Sequence, residues 1–414
     1  MSPTFKIVTL GCKVNFYESE ALRESLIKDG YLESKADKAD YFFVNTCAVT
    51  NLAERQDLQK VRSIARQFPD SKIVVSGCSS QIHKAKYLAI KQVIQVRGTS
   101  IRCSFNPQSK SDDVNPDSRH FQFEESSIYQ SEYPVRAYIK IQDGCNNFCS
   151  YCVVPFSRGN SRYRKPASII KEAKALLDNG YHELIIGGID TGSYHDPDND
   201  SYDLTSLLKD LLNLSSNPYR IRVSSIEISQ IKDDYIKLFK DHPNKLCPHF
   251  HIPLQSGSDR ILKLMNRKYS LEQYLGKVAE IKSLLPFAAL STDIITGFPT
   301  ETNEDFLATY DAAKKVGFMR IHAFPYSQRP FTAAGRMANQ VDVSVRRERV
   351  KKLLSLSDEL EKQYLASLKG HDLEILIEHR GENNTYSGYS ENYLPLSIKS
   401  KEDVFNTFVK YKVC

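Results

Sequence analysis

Several things are scarce in this sequence. No apolar run approaches the ~18 residues that cross a bilayer, which excludes a helical membrane protein. Met1 to Leu10 lacks the basic start, long apolar stretch and small-residue cleavage site of a secretory leader, so a cytoplasmic setting is expected. Neither an internal repeat nor a low-complexity tract is present. Charge of one sign is not in strong excess: 56 basic against 50 acidic residues leave +6, which permits an anionic partner without requiring one. Cysteine is scarce as well. Nine in 414 residues is an odd number and too sparse for a disulfide framework, so in a reducing cytoplasm the thiols point to metal or redox chemistry.

What is present is an ordinary globular composition, 41% hydrophobic and 26% charged. At roughly 100–200 residues per domain, the length implies two or three domains. Short apolar runs at Phe5–Leu10, Tyr41–Asn45 and Lys72–Ser76 read as buried strands, with helical spacing over Tyr17–Asp29 and Leu52–Gln67 between them. This β-α-β-α-β grammar predicts a three-layer α/β domain over residues 1–103. Ser, Asp, Asn, Pro and Gln dominate the following stretch, and 104–134 reads as a linker.

A second α/β region is expected over 135–342. Strands are expected at Ala137–Gln142, Glu183–Gly187, Arg220–Ile226, Phe250–Pro253, Ala288–Ile295 and Met319–Phe324. The intervening helices are Ser168–Asn179, Leu204–Asn213, Lys232–Lys240, Ser270–Leu285 and Glu304–Val316, together a partial (β/α)6 barrel. In such a sheet the functional loops follow the C-terminal ends of the strands. An amphipathic connecting helix follows over 343–370, with Leu353, Leu354, Leu356, Leu360, Leu365 and Leu368 as its apolar stripe. Residues 371–414 read as a small β-domain.

Three cysteines stand together in CNNFCSYC: Cys145, Cys149 and Cys152, just after the first strand of the barrel region. Thiolates this close can ligate three irons of one cubane cluster and leave the fourth iron open to a small molecule. A structural zinc site is the alternative, but it wants four ligands and no further His or Cys lies a few residues away. Cys12, Cys47 and Cys78 each stand two residues beyond one of the expected N-terminal strands. Loops after parallel strands converge on one sheet edge, so these three predict a second three-thiolate cluster. A buried cysteine is often only a small hydrophobe, but three equivalent placements favour ligation. Cys103, Cys247 and Cys414 follow no such pattern.

CNNFCSYC after a first β-strand, followed by further β/α units, resembles the radical S-adenosylmethionine superfamily. The whole layout is similar to its methylthiotransferases, with a TRAM-like RNA-binding β-domain at the C-terminus. TLGCKVN, NTCAVTNLAERQ, VPFSRGNSRYR and GIDTGSY most resemble the branch acting on threonylcarbamoyladenosine beside the tRNA anticodon. The isopentenyladenosine branch usually carries Gln-Met-Asn after its first cysteine and the ribosomal-protein aspartate branch Pro-Lys-Asn; here the residues are Lys13, Val14 and Asn15.

The resemblance implies two 4Fe-4S clusters, with S-adenosyl-L-methionine as radical source and methyl donor. A radical would take hydrogen from carbon 2 of the adenine, and sulfur from the Cys12/Cys47/Cys78 cluster would replace it. It also implies a tRNA anticodon stem-loop as substrate, a flavodoxin- or ferredoxin-like electron donor and a sulfur donor. For cosubstrate binding it implies Phe148 and Tyr151, then Gly187, Gly188 and Asp190, then Ser224, Ser225 and Glu227. Gln255, Ser256, Gly257, Asp293 and Gly297 complete that set at later strand ends. No catalytic residue is assigned beyond the cluster ligands. Where the family usually has Arg-Pro-Gly-Thr, this chain has Arg329, Pro330, Phe331 and Thr332, so the loop is expected to differ. For RNA, Arg158, Arg162, Tyr163, Arg164 and Lys165 combine guanidinium groups for phosphates with a stacking ring. Arg346, Arg347, Arg349, Lys351 and Lys352 read as a solvated helix face, and Tyr386, Tyr389 and Tyr393 as core of the last domain. The alternative of another class is a non-catalytic iron–sulfur protein that carries electrons or binds RNA.

Overall fold

The structure, a computed structural model, describes residues 2–100, 102–107, 114, 117–131, 135–329 and 331–413. Pro330, Cys414 and positions 108–113, 115–116 and 132–134 of the expected linker lie outside the described residues. The chain forms two compact units. One comprises Met1–Glu132, Lys140–Phe148 and Cys152–Lys165; the other comprises Tyr133–Ile139, Cys149–Tyr151 and Pro166–Cys414.

The first unit opens with β1 (Thr4–Thr9), α1 (Lys13–Lys28), β2 (Leu32–Glu33), β3 (Tyr41–Thr46), α2 (Asn51–Gln67), β4 (Lys72–Gly77), α3 (Cys78–Leu88) and β5 (Val93–Val96). Its five strands run parallel in the order β2-β1-β3-β4-β5, with Ile7, Phe43 and Val74 in register. Side chains alternate across a strand, so the central pair feeds two cores. Phe42, Val44, Ile73 and Val75 pack with Val61 and Ile64 of α2, while Phe43 and Val74 pack with Phe5, Leu22 and Leu26. Helices therefore cover both faces, the expected three-layer arrangement. Thr50 starts α2 by accepting the Ala53 N–H on its hydroxyl at 3.0 Å. Sequence reading missed the two edge strands, which are too short to show a period.

The polar stretch read as a linker is packed where it is described. Phe105 is part of the second core, Ser126 O accepts the Tyr17 hydroxyl at 2.8 Å, and Glu124 takes the backbone N–H groups of Arg102 and Cys103. Next come β6 (Arg136–Lys140), β7 (Gln142–Asp143), α4 (Val154–Ser157) and β8 (Arg162–Tyr163). The antiparallel pair β7–β8 belongs to the first unit, although its sequence position suggested the barrel region.

The second unit continues through α5 (Pro166–Asp178), β9 (Glu183–Gly187), β10 (His195–Asp196), β11 (Asn199–Asp203), α6 (Leu204–Leu211), β12 (Arg220–Val223), α7 (Asp233–Asp241) and β13 (His249–His251). It goes on with α8 (Asp259–Leu264), α9 (Leu271–Leu284), β14 (Ala289–Thr296), α10 (Asn303–Val316) and β15 (Arg320–Pro325). Sheets β12-β9-β6 and β13-β14-β15 are linked by the parallel bridges Ile221–Leu246 and Ser225–His251, which makes the expected open barrel of six strands. Then α11 (Val343–Ser367) buries Leu353, Leu356 and Leu360, whereas Leu354 is exposed and leaves the expected stripe. The strands β16 (Asp372–Arg380), β17 (Thr385–Ser390), β18 (Pro395–Lys399) and β19 (Phe408–Lys412) close an antiparallel sheet in the order β18-β17-β16-β19.

Candidate functional site

The order β1-β3-β4 brings the segments carrying Cys12, Cys47 and Cys78 to one edge of the first sheet. The spacing differs slightly from the sequence reading. Cys47 directly follows β3 and Cys78 is the first residue of α3, while Cys12 is three residues beyond β1. Two glycines make the approach possible. Gly11 has φ +104°, and a Cβ there would stand 2.9 Å from Cys47 Sγ; Gly77 has φ +105°, and a Cβ there would stand 2.4 Å from Thr46 O. Cys47 and Cys78 are buried and Cys12 keeps exposed surface. Burial and the neighbouring Cys78 push the Cys47 thiol up to about 12. Surrounding protein also pushes the Cys12 thiol up, with Arg158 opposing. The buried Asp57 carboxylate accepts the Cys47 N–H at 2.6 Å. Among the described residues, no three His, Cys, Asp or Glu side chains converge as the ligands of one mononuclear ion. A cluster takes its thiolates on different irons, so this donor set suits it.

Beside these thiols lies a buried ionic network. Arg158 donates to Glu18 Oε1 at 3.0 Å, to Asp143 Oδ1 at 2.8 Å and to Asn15 Oδ1 at 2.7 Å. The same Asn15 oxygen faces Cys12 Sγ at 3.9 Å, and Asn15 Nδ2 holds the carbonyls of Leu10 and Thr46. Arg102 pairs with both carboxylates. Lys140 lies 3.0 Å from Glu18 and 3.5 Å from Asp143, and Arg162 lies 2.9 Å from Asp143. Burial alone would raise the Glu18 carboxyl, but Arg102, Arg158 and Lys140 hold it down to about 2.

This network corrects the expected RNA patch. Arg158, Arg162 and Arg164 are buried and spent inside the first unit, Arg164 on Tyr17 and Ser127. Lys165 is exposed and Tyr163 half-buried. The run looked basic because its carboxylate partners are distant in sequence. At the start of α11, Arg346 and Arg349 are buried too, the latter on Glu301, while Arg347, Lys351 and Lys352 are exposed. Tyr389 and Tyr393 stack at 4.9 Å under Arg136 and Arg222 and so serve packing.

In the CNNFCSYC segment, Cys145 Sγ accepts the Asn147 N–H at 3.5 Å and Cys152 Sγ accepts the Val154 N–H at 3.4 Å, contacts that favour thiolate. In the second unit, burial pushes the Cys149 thiol up while Arg267 opposes it. Sequence reading missed Arg267. It is held by Glu227 at 2.6 Å and by the Tyr151 hydroxyl at 2.8 Å, and its only local signal is Asn266, whose positive φ ends the α8 turn. Phe148 is exposed with φ 47°, whereas Tyr151 packs edge-on against Phe298. A Cβ on Gly187 would stand 2.3 Å from Ser224 Oγ. Gly188 N–H donates to Thr191, and Asp190 accepts from Gln230 at 2.7 Å. Gly188, Ser224, Ser225 and Glu227 remain half-exposed beyond strand ends, and Asp293 is half-exposed within β14.

Four other expected cosubstrate residues are turned inward. Ser256 Oγ and Gly257 N–H both meet Thr309 on α10, and Gly257 lies flat against that helix. Gly297 donates to Glu301 and packs on Arg346; Gln255 is buried with its N–H on Asp293 O. In the divergent loop Phe331 lies 5.6 Å from the Arg329 guanidinium, and Thr332 closes the turn on Arg329 O at 2.7 Å.

Residues 139–313 match the radical SAM superfamily and residues 4–97 match the uncharacterized protein family UPF0004. The threonylcarbamoyladenosine tRNA methylthiotransferase MtaB of Bacillus subtilis (strain 168) is 40% identical over 98% of this chain and 92% of its own length. Its namesake from Thermotoga maritima is 36% identical over 94% and 90%. A tRNA-2-methylthio-N(6)-dimethylallyladenosine synthase from Thermoanaerobacter sp. (strain X514) is 37% identical over 90% and 82%. Among solved structures, the radical S-adenosylmethionine methyltransferase TsrM of Kitasatospora setae shares the fold, with TM-score 0.56, 15% identity, and 81% of this chain and 77% of that one covered.

Proposed function

The chain belongs to the methylthiotransferases of the radical S-adenosylmethionine superfamily, and on that premise we propose that it places a methylthio group on carbon 2 of N6-threonylcarbamoyladenosine in tRNA. The observation that carries this reading is the match over 98% of the chain to a threonylcarbamoyladenosine enzyme, which spans both cysteine triads. Lys13, Val14 and Asn15 after the first cysteine favour that branch over the isopentenyladenosine one.

In this reading Cys145, Cys149 and Cys152 hold one four-iron cluster and Cys12, Cys47 and Cys78 the other. When bound, the first with S-adenosylmethionine supplies radical hydrogen abstraction, and the second supplies sulfur. Gly11 and Gly77 keep the backbone beside the N-terminal thiols thin enough for the three sulfurs to share one edge. Asn15 ties Leu10 to Thr46 and so fixes the Cys12 and Cys47 segments against each other. Arg267 orients Glu227 and Tyr151 and keeps positive charge beside Cys149. Gly187, Gly188, Asp190, Ser224, Ser225 and Glu227 stand at strand ends and Asp293 within β14, where the cosubstrate binds in this reading. Electrons come from a flavodoxin- or ferredoxin-like donor and sulfur from a separate donor, in the cytoplasm.

Nucleosides digested from the tRNA of a strain lacking this gene test the proposal. Loss of the 2-methylthio threonylcarbamoyl nucleoside, restored by the gene in trans, is the expected outcome. Loss of the 2-methylthio isopentenyl nucleoside instead moves the substrate to the neighbouring branch. An unchanged profile overturns the tRNA reading.

A further inference from the structure

The ionic network beside Cys12 is not electrically balanced. Arg102, Lys140, Arg158 and Arg162 are all buried, and they share two buried carboxylates, Glu18 and Asp143. Among the described residues Glu124 is the other carboxylate at hand and is spent on the backbone N–H groups of Arg102 and Cys103; even counting it, the balance of these residues stays positive. Asp57 bonds to the Cys47 N–H rather than to this network. Burying unpaired charge is expensive, and a fold tolerates it where an opposite charge completes the site. Part of the surplus meets carbonyls and rings: Arg102 donates to Thr99 O and Arg162 to Arg158 O, while Lys140 and Arg162 lie 5.2 and 5.8 Å from the Phe123 and Phe121 rings. Arg158 Nη2, which also reaches Glu18 Oε2 at 3.3 Å, donates to the Asn15 oxygen that faces Cys12 Sγ, and this is the side of the network that meets the thiols. Toward the thiols the site therefore presents positive charge, and three thiolates with their cluster would bring the negative charge that meets it.

We propose that Arg158, set in its network, is a positioning residue for the cluster at Cys12, Cys47 and Cys78: its guanidinium neutralises the thiolates and stabilises the reduced, more negative cluster. The inference rests on reading those cysteines as ligands. It removes Arg158 from RNA binding and gives it an electrostatic task inside the first unit. Asn15 carries the contact, so displacement of Arg158 would also loosen the loop that holds Cys12.

The test uses the full-length protein with Cys145→Ala, Cys149→Ala and Cys152→Ala, reconstituted anaerobically so that only the N-terminal triad can hold iron. Iron and sulfide per chain and the midpoint potential from EPR-monitored titration are read for this parent and three further changes. Arg158→Gln should lower the potential and the iron retained, Arg158→Lys should restore most of both, and Asp143→Asn should shift the potential the opposite way by enlarging the positive surplus. A merely structural role would cut iron content in both neutral variants without shifts of opposite sign. If Arg158→Gln does not fold, the Asp143→Asn shift alone decides. A parent that assembles no cluster overturns the reading of the cysteines, and this proposal with it. A parent with a cluster whose potential neither variant moves overturns the role of Arg158 alone.

Discussion

In the second unit Glu183 sits between Arg220 at 2.6 Å and Arg222 at 2.9 Å, whereas in the first unit Glu18 and Asp143 sit among Arg102, Lys140, Arg158 and Arg162. Both networks are buried and both carry more cations than carboxylates. They differ in where the surplus goes. Arg220 and Arg222 extend to the carbonyls of Glu374, Tyr389, Ser390 and Glu391 at 2.8–3.1 Å, and Arg222 lies 4.6 Å from the Tyr393 ring. Carbonyl dipoles and a π face absorb that charge and fasten the C-terminal sheet to the barrel strand. In the first unit the carbonyls of Thr99 and Arg158 and the Phe121 and Phe123 rings take part of it likewise, but Arg158 also reaches Asn15, whose oxygen faces Cys12 Sγ. The same chemistry builds a joint in one place and a site in the other.

The largest effects should fall at the thiols. Cys47→Ala should abolish methylthio transfer while 5′-deoxyadenosine still forms from S-adenosylmethionine under reduction, both measured in one chromatogram. Methylthiolation surviving that change would remove the second cluster and reduce the first network to a joint like the other. Next comes Glu183→Ala, which leaves two buried guanidiniums without their carboxylate and should cost about 3–5 kcal/mol in denaturant unfolding. Its iron content should equal the parent's; loss of iron there would erase the distinction between joint and site.

Acid should separate the networks further. Glu18 is held at about 2 against an ordinary 4.5, so the stability it contributes is present above 4.5 and is lost as pH falls toward 2. The loss should be on the order of 3 kcal/mol and absent in Glu18→Gln, followed by circular dichroism. Glu378, beside Arg136, is pushed by burial to about 7, so it acts with the opposite sign: stability falls as pH rises from 4.5 through 7. Glu378→Gln should flatten that limb alone.

How much of this was legible in the sequence follows from how local each signal is. The central strands, the long helix and CNNFCSYC were readable because period and spacing lie within a few residues. The convergence of the loops that carry Cys12, Cys47 and Cys78 was readable because parallel topology makes equivalent loops neighbours. Arg158 was misread as RNA-binding because nothing near VPFSRGNSRYR announces Glu18, 140 residues earlier. Arg267 was missed for the same reason: its partners Glu227 and Tyr151 stand 40 and 116 residues away. The inward turn of Ser256 and Gly257 depends on Thr309, 53 and 52 residues on, and no pattern in the loop itself shows it.

The smallest effect sharpens the comparison by keeping charge and changing shape. Arg136 pairs with Glu378 at 2.8 Å and lies 4.8 Å from the Tyr389 ring. Lysine at that position can keep the ion pair but not the flat guanidinium that covers the ring. Arg136→Lys should therefore cost only about 0.5–1 kcal/mol in thermal unfolding, the size of a cation–π contact, and leave iron content unchanged. A cost as large as that of Glu183→Ala would mean that planar geometry rather than charge holds this joint. In that case Arg158→Lys should fail as well, since its planar fork serves Glu18, Asp143 and Asn15 together. Rescue by lysine at 158 but not at 136 would show that the site depends on charge and the joint on shape.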